Sequence, residues 1–465
     1  MLFVTLGATD EIGASCHFLK IDGTGVLLDA GADPEYEGAQ SVPRLELIHR
    51  NTGWYVDHAI VTHAHHDHIG ALPVVVRHFP HLHVHMTHAT RQLADLVLPA
   101  SARLQRRRQR EGSAQEDPLF SEEDLDVQSY LYLTHDLEQP FDVTGIKGVS
   151  PVTAQLYDAG HVLGAAGVLL QYAEDGQERR VFYTSDTNLR AQSIIPGGRY
   201  PAQPVDVLIL ESTLGADTEA EQTTRTREEE RFAEALRATI ARGGTVLIPA
   251  FALGRAQEVL ALVARFKAEG LLSPEVPVYT AGSMRAISDL YDKTRFSTRR
   301  LDPDFLVFGV EQKRLPRSHA NLQEVLAKPG IHIVGSGMMF ERTHSNDLAQ
   351  LLVEDEKHSI FLVGFAREDS PAHRTATAAA AGKGTPTVIS TTKGPQPVHC
   401  DVQRFRFSGH SHRRDLIHLV GQLRPKKVLL VHGDLPARTW MHDNIRFFYP
   451  EIEVLSPGSG EAVEV

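Results

Sequence analysis

The sequence reads as an α/β protein, and three observations predict it. From Gly215 onward, apolar strand-like runs alternate with helix-patterned stretches: TVLIPAF before a helix from Arg255, VPVYTAG before one near Met284, GIHIVGSG before one near Ser345, then SIFLVGF. Strand, turn and helix repeated in this way form a parallel sheet. Ahead of Gly215, short strands end in turns containing Gly, Ser or Asp, among them VTAQLYDAG, RVFYTSD and VDVLILEST. After Thr385 strands return (TPTVIST, QRFRFSG, KKVLLVHG, IEVLSPG) in a stretch too short and strand-rich to fold alone. The expected organisation is one domain in two pieces, residues 1–214 and 385–465, with a second domain, residues 215–384, inserted between them.

The elements follow in order. LFVTLG and HFLKIDGTGVLLDAG give the strands of a hairpin, with a turn near Gly23 and Gly25. HAIVTH is a further strand, and LHVHMTH alternates apolar and polar residues as a half-buried strand does. From Ala89 to about Arg110 the pattern is helical and ends in Arg103, Arg106, Arg107, Arg108 and Arg110, a run that suits a phosphate backbone or a solvated helix face. Residues 217–242 are charged and helix-patterned.

Composition narrows the class. A chain of 465 residues leaves room for two or three domains of roughly 100–200 residues each. Its 42% apolar and 23% charged residues exclude a disordered or collagen-like protein. Two cysteines, Cys16 and Cys400, exclude a disulfide framework and a cysteine-built zinc site. With a mean hydropathy of −0.21 and no long apolar run, no membrane span is expected. MLFVTLGATDEIG has no basic leader segment, so a cytoplasmic setting is expected. The net charge of −12 argues at first against a nucleic-acid partner. Yet ten of the 25 histidines fall between His58 and His88, which asks for an explanation in metals or protons.

The segment THAHHDHIGALP supplies one. Alternate residues of an extended segment project to the same side, so His63 and His65 can hold one ion; a turn into a helix then aims Asp67 and His68 at a second position. Imidazole and carboxylate donors suit zinc, with manganese or another divalent ion as alternatives. Further donors stand at strand ends: His161 in DAGHVLGAA, Asp186 in YTSDTN and His432 in VLLVHGD.

In this order, HxHxDH, AGHVLGAA and TSD resemble the metallo-β-lactamase fold. LILESTLG with Glu211, PAFALGRAQE, FSGH with His410 and VHGD with His432 resemble the motifs of its β-CASP nuclease branch. That branch contains ribonuclease J and the endonuclease subunit of the pre-mRNA 3′-cleavage machinery. The resemblance implies an αββα sandwich in two pieces around a β-CASP domain. It implies that His63, His65 and His161 hold one Zn2+, that Asp67, His68 and His432 hold another, and that Asp186 bridges them. Asp29 in VLLDAG would orient the ligand loop, and His410 would act at the scissile phosphate with Glu211 as its partner. The chain departs from the pattern in VHGD, where VHGE is commoner, in TSD, where TGD is commoner, and at His66. His412 lies close enough to His410 to be the motif histidine in its place.

The implied activity is two-metal hydrolysis of single-stranded RNA, by endonuclease or 5′-exonuclease action, with hydroxide between the ions as nucleophile and Asp67 orienting it. A DNA nuclease or a hydrolase of small esters and lactones on the same fold are the alternatives. His432 favours RNA, because DNA-directed members carry an apolar residue there. Arg255 at a helix start suits phosphate or a structural ion pair. Ser336 and Gly337 suit a phosphate cradle or a plain turn, and His412 suits a phosphate contact or a solvated side chain. Family members often form homodimers. The acidic net charge ceases to argue against RNA, since Lys393–Tyr449 carries ten basic against four acidic residues, a local surplus of six positive charges around both late histidine motifs.

Overall fold

The computed structural model describes residues 1–7, 13–112, 116–316 and 319–465. The chain divides into two compact units, one of residues 1–191, 197–217 and 410–465, the other of residues 192–196 and 218–409.

The first unit contains two seven-stranded sheets. One runs Ala462–Glu464, Leu2–Thr5, His17–Ile21, Thr24–Leu28, His58–Ile60, His83–Thr87, Tyr132–His135; the other runs Glu453–Leu455, Lys427–Val431, Val207–Glu211, Gln177–Tyr183, Ala166–Glu174, Val152–Asp158, Pro140–Asp142. Strand side chains alternate between faces, and the sequence uses both. Phe3, Leu19, Val26, Leu28 and Ile60 meet Val152, Val168, Ile209 and Leu429 in the core between the sheets. The intervening Val4, Phe18, Leu27 and Ala59 pack outward on Leu72, Val75 and Leu98 of the helices Leu72–His78 and His88–Arg110. On the far side, Leu208, Leu210, Val428 and Leu430 pack on Leu416, Leu419 and Met441 of the helices Arg413–Leu423 and Leu435–Phe448. Both faces of both sheets are covered, which is the αββα sandwich. The first hairpin turns at Asp22 and Gly23, both with positive φ (43° and 86°), the geometry whose twist matches the strands it joins. Gly25 lies in the strand, where a Cβ would stand 1.6 Å from the Tyr55 carbonyl oxygen.

The second unit is a six-stranded parallel sheet in the order Gln312–Arg314, Val278–Thr280, Gly330–Val334, Thr245–Pro249, Ser359–Leu362, Asp401–Arg404. Gly330–Val334 and Thr245–Pro249 are buried along their whole length, as strands covered on both faces must be. A division of the chain at 384/385 does not coincide with these units. Asp401–Arg404 pairs with Ser359–Leu362, Ile389 and Val398 enter the second unit's core, and Phe405 and Phe407 stand edge-on to Phe232 at 4.9 and 5.2 Å. Residues 385–409 therefore fold with the second unit, and the chain rejoins the first at His410. Periodicity marks QRFRFSG as a strand but does not say which sheet receives it. Among the described residues no helix is long and apolar enough to cross a membrane.

Candidate metal centre

Strand direction gathers the site. Val152–Asp158, Gln177–Tyr183, Val207–Glu211 and Lys427–Val431 all run the same way, because Ala166–Glu174 is antiparallel to both neighbours and the remaining pairings are parallel. Their ends deliver His161, Asp186, Glu211 and His432 to one edge of the sandwich. The parallel pair Thr24–Leu28 and His58–Ile60 delivers Asp29 and His63 from the other sheet. His65 is extended and caps the short helix His66–Ile69, which carries Asp67 and His68. Asp29, Ser185 and His432 hold positive φ (64°, 53° and 50°), a backbone conformation that costs these residues roughly 1–3 kcal/mol each.

Asp186 is the hub. Its Oδ2 lies 3.4 Å from His68 Nε2, 3.7 Å from His63 Nε2, 3.7 Å from His161 Nε2 and 4.0 Å from His410 Nε2, while Oδ1 lies 3.1 Å from His432 Nδ1. Three donor groups share it: His63, His65, His161 and Asp186; Asp67, His68, Asp186 and His432; and Asp186, Glu211 and His410. His65 Nδ1 is 3.1 Å from His63 Nε2 and 3.2 Å from His161 Nε2. One lone pair does not satisfy both, whereas two nitrogens bound to one tetrahedral ion would stand roughly 3.3 Å apart. His68 Nε2 and Asp186 Oδ1 are buried and make no well-formed hydrogen bond. Lone pairs that converge in this way, inside the protein, fit divalent cations.

The surrounding hydrogen bonds fix the tautomers. Asp29 is fully buried and accepts from the Thr62 amide and hydroxyl (2.8 Å each), from Tyr183 Oη (2.9 Å) and from His68 Nδ1 (2.9 Å). His68 thus carries its proton on Nδ1 and turns Nε2 toward Asp186. Thr62 gives its hydroxyl hydrogen to Asp29, so its oxygen can only accept from His63 Nδ1, 3.2 Å away; His63 Nε2 then faces the hub. Glu211, also fully buried, accepts from the Thr187 amide (2.9 Å) and meets His410 Nδ1 at 3.1 Å.

These contacts set the charges. Burial penalises the His68 cation, but Asp186, Asp29 and Asp67 outweigh it and raise its pKa well above the ordinary value. Burial likewise opposes charge on His410, yet Glu211 and Asp186 raise its pKa to about 9. Burial, reinforced by His68 and His65, drives the pKa of His63 well down and leaves it neutral. Burial disfavours the carboxylates of Asp67 and Asp186, but His68 and His432 hold both below the usual range.

Three family models match in succession: the metallo-beta-lactamase superfamily over residues 9–210, the Beta-Casp domain over 256–374, and the Zn-dependent metallo-hydrolase RNA specificity domain over 395–457. In succession these are the parts of a metallo-β-lactamase-superfamily chain with a Beta-Casp domain. Among relatives, the chain is 28% identical over 450 residues to "Endoribonuclease YSH1" of Candida glabrata, covering 93% of this chain and 54% of that one. It is 27% identical over 480 residues to "Cleavage and polyadenylation specificity factor subunit 3-I" of Arabidopsis thaliana, covering 100% and 64%. It is 28% identical over 435 residues to "Cleavage and polyadenylation specificity factor 73" of Drosophila melanogaster, covering 92% and 59%. The chain thus spans little more than half the length of these relatives. A crystal structure of a protein of unknown function from Enterococcus faecalis V583 shares the fold, with a TM-score of 0.55 and 13% identity over 100% of this chain and 99% of that one.

The structure brings the motif residues named from sequence to one site and places the named substrate contacts in other surroundings. His410, not His412, faces Glu211; His412 caps the helix Arg413–Leu423 and accepts from the Arg414 amide at 3.3 Å. Arg255 opens the helix Arg255–Ala268 but is nine-tenths buried, and burial with neighbouring Arg225 lowers its pKa to about 10. Ser336 Oγ accepts the Phe340 amide at 3.2 Å, and a Cβ on Gly337 would stand 3.2 Å from the Phe251 ring, so this turn is occupied by its own packing. Arg103, Arg107 and Arg108 pair with Glu122, Glu111 and Glu37, as on a solvated face. His66 is exposed. Sequence reasoning passed over Thr62, Tyr183, Thr187 and Thr213, although each sits in or beside a motif; Thr213 Oγ1 lies 3.0 Å from His432 Nδ1.

Proposed function

We propose that this chain is a ribonuclease that cuts single-stranded RNA at internal phosphodiester bonds with two divalent ions, zinc being the natural choice for this donor set. The observation that carries the proposal is the Asp186 hub, shared by two four-residue donor groups and by the pair of buried Glu211 and half-buried His410. The endoribonuclease name of one group of relatives supports the same reading. His63, His65 and His161 would hold one ion, Asp67, His68 and His432 the other, with Asp186 common to both. Bound there, two ions would supply Lewis acidity and a water acidic enough to act as nucleophile at neutral pH.

The chain's own residues supply the rest. Asp29 fixes His68 through Nδ1 and so aims Nε2. Asp67, held ionised by His68 and His432, can accept a hydrogen bond from the attacking oxygen and orient it. Glu211 holds His410 Nδ1 and favours the protonated ring, so the His410 Nε2 proton would be available to the phosphate or leaving oxygen. A cytoplasmic setting, with buried Cys16 and Cys400 kept as free thiols, is part of the same proposal, as is self-association, which a sedimentation experiment would test.

The test is metal content after reconstitution with Zn2+ or Mn2+. Cleavage is then measured on 5′-monophosphate and 5′-hydroxyl single-stranded RNA, matched DNA and a generic ester. Internal cuts in both RNAs are expected, with Asp67→Ala as the control for contaminating nuclease. Ester turnover without nucleic-acid cleavage overturns the proposal; cleavage confined to 5′-monophosphate ends overturns its endonucleolytic part.

A further inference from the structure

The first unit has a second concavity that the proposed chemistry leaves unused. It encloses about 380 Å³, within the range of ligand pockets, and is lined by Tyr157, Tyr200, Arg199, Glu138, Gln422 and Leu423, among others. Tyr157 and Tyr200 both stand edge-on to the buried Phe182, at 6.0 Å and 89° and at 6.3 Å and 86°, so one side chain braces both rings.

The rim is polar without being an anion site. Arg199 Nη1 donates to Glu138 Oε1 at 3.1 Å, so the cation is already neutralised by its neighbour. The Gln422 amide nitrogen meets His418 Nε2 at 3.1 Å, which leaves the amide oxygen as an acceptor. Tyrosine rings set among polar groups match a heterocyclic base, which has flat faces and a hydrogen-bonding edge. Free phosphate would meet the Glu138 carboxylate, and a lipid chain would meet a charged pair.

The cavity is also stitched to the metal-site loop. Thr187 Oγ1 gives its hydrogen to the Ala159 carbonyl at 2.9 Å, so Tyr200 Oη, 2.7 Å away, is the donor to Thr187. The Thr187 amide bonds Glu211, and Gly198 in the cavity wall donates to the Asn188 carbonyl at 2.8 Å. One tyrosine side chain thus separates the cavity from the residue next to Asp186.

From these observations we infer that the Tyr157–Tyr200 cavity is a nucleobase subsite, which receives a base of the RNA strand at a distance from the scissile phosphate, since Gln422 and Leu423 end the helix that begins beside His410. The inference rests on the ribonuclease reading for its strand, but base binding itself does not require cleavage. The experiment uses the full chain and two readouts. Guanosine and adenosine are titrated against the metal-free protein by saturation-transfer NMR, with ribose 5-phosphate as control. KM and kcat are then measured on a short RNA with metal restored. The nucleosides are expected to bind and ribose 5-phosphate not to. Tyr157→Ala should weaken nucleoside binding and raise KM about tenfold with kcat little changed, and Tyr157→Phe should keep both near the parent value, since stacking needs the ring and not the hydroxyl. Nucleoside binding unchanged in Tyr157→Ala, or absent from a parent enzyme that cleaves RNA, overturns the subsite and leaves the ribonuclease reading standing. Ring-dependent nucleoside binding by a chain that cleaves no RNA overturns that reading and leaves the base site.

Discussion

Two histidine clusters arise from one stretch of this chain and end in opposite chemistry. His63, His65 and His68 close around Asp186 with Asp29 and Asp67 among them. On the same sheet His58, His85 and His135 form a ladder of imidazoles: His58 Nδ1 meets His85 Nε2 at 2.9 Å, and His85 Nδ1 meets His135 Nε2 at 2.9 Å. The carboxylates nearest the ladder are committed elsewhere, Asp57 to the Gly25 and Ile146 amides and Asp142 to Thr144. Where carboxylates face the rings, the pKa of His68 and of His410 is raised, although burial with His68 and His65 still lowers that of His63; in the ladder all three fall, chiefly through burial. Histidine count alone therefore says little. The acidic partners decide whether a buried cluster includes cationic rings or consists of neutral ones hydrogen-bonded to each other.

The sharpest way to break this contrast is to remove the hub. Asp186→Ala should empty both four-residue donor groups and abolish cleavage, with metal content by mass spectrometry falling from two ions toward none. Retention of two ions would show that the histidines suffice and that the carboxylate does not distinguish the clusters. His410→Ala comes next. It should retain both ions and lower kcat by about 10²–10⁴-fold, the usual worth of a positioned proton donor. Loss of metal in that variant would move His410 from proton donor to ligand.

How much of this was legible in the sequence depends on range. The short apolar runs in LFVTLG and VLLDAG and the alternation in LHVHMTH mark strands, and HxHxDH fixes two donor positions within a few residues, because these signals are local. The completion of the first unit from the end of the chain was also legible, since KKVLLVHG repeats the strand-then-donor pattern of RVFYTSD. The destination of QRFRFSG was not, because Phe405 and Phe407 choose the second unit by meeting Phe232, some 170 residues earlier. Nor was the burial of Arg255: a helix start is visible in the sequence, whereas the Arg225, Glu258 and Tyr291 that crowd it are not. The support of Asp29 by Tyr183, 154 positions away, is long-range in the same sense.

Asp29 tests whether that support matters to the metal side of the comparison. Asp29→Asn keeps the shape but replaces one acceptor oxygen with a donor, so it confronts one of the donors now served by the carboxylate. Metal affinity, measured by competition with a chelator, should fall about 10–100-fold, the usual effect of losing a carboxylate behind a metal-bound histidine. An unchanged affinity would mean that packing alone aims His68.

The smallest expected effect lies in the ladder and tests its neutrality. The Thr144 carbonyl can only accept, so His58 Nε2, 3.4 Å away, bears that ring's proton and Nδ1 accepts from His85; His85 Nδ1 in turn accepts from His135. Burial, with help from His58 and His135, lowers the pKa of His85 to about 2, against 6.5 for the unhindered side chain. The folded state thus binds fewer protons than the unfolded chain between those limits. Stability contributed by the neutral ring is fully present above pH 6.5 and declines as pH falls below it, by about 1.4 kcal/mol per pH unit for one such histidine. His85→Leu removes that titration and one link on each side. Urea unfolding at pH 7 and pH 5 should therefore show a variant less stable than the parent at pH 7 but with a shallower loss on acidification. Equal slopes in the two proteins would mean that the ladder takes up protons in the folded state, and that the neutral cluster and the charged one differ less than their hydrogen bonds indicate.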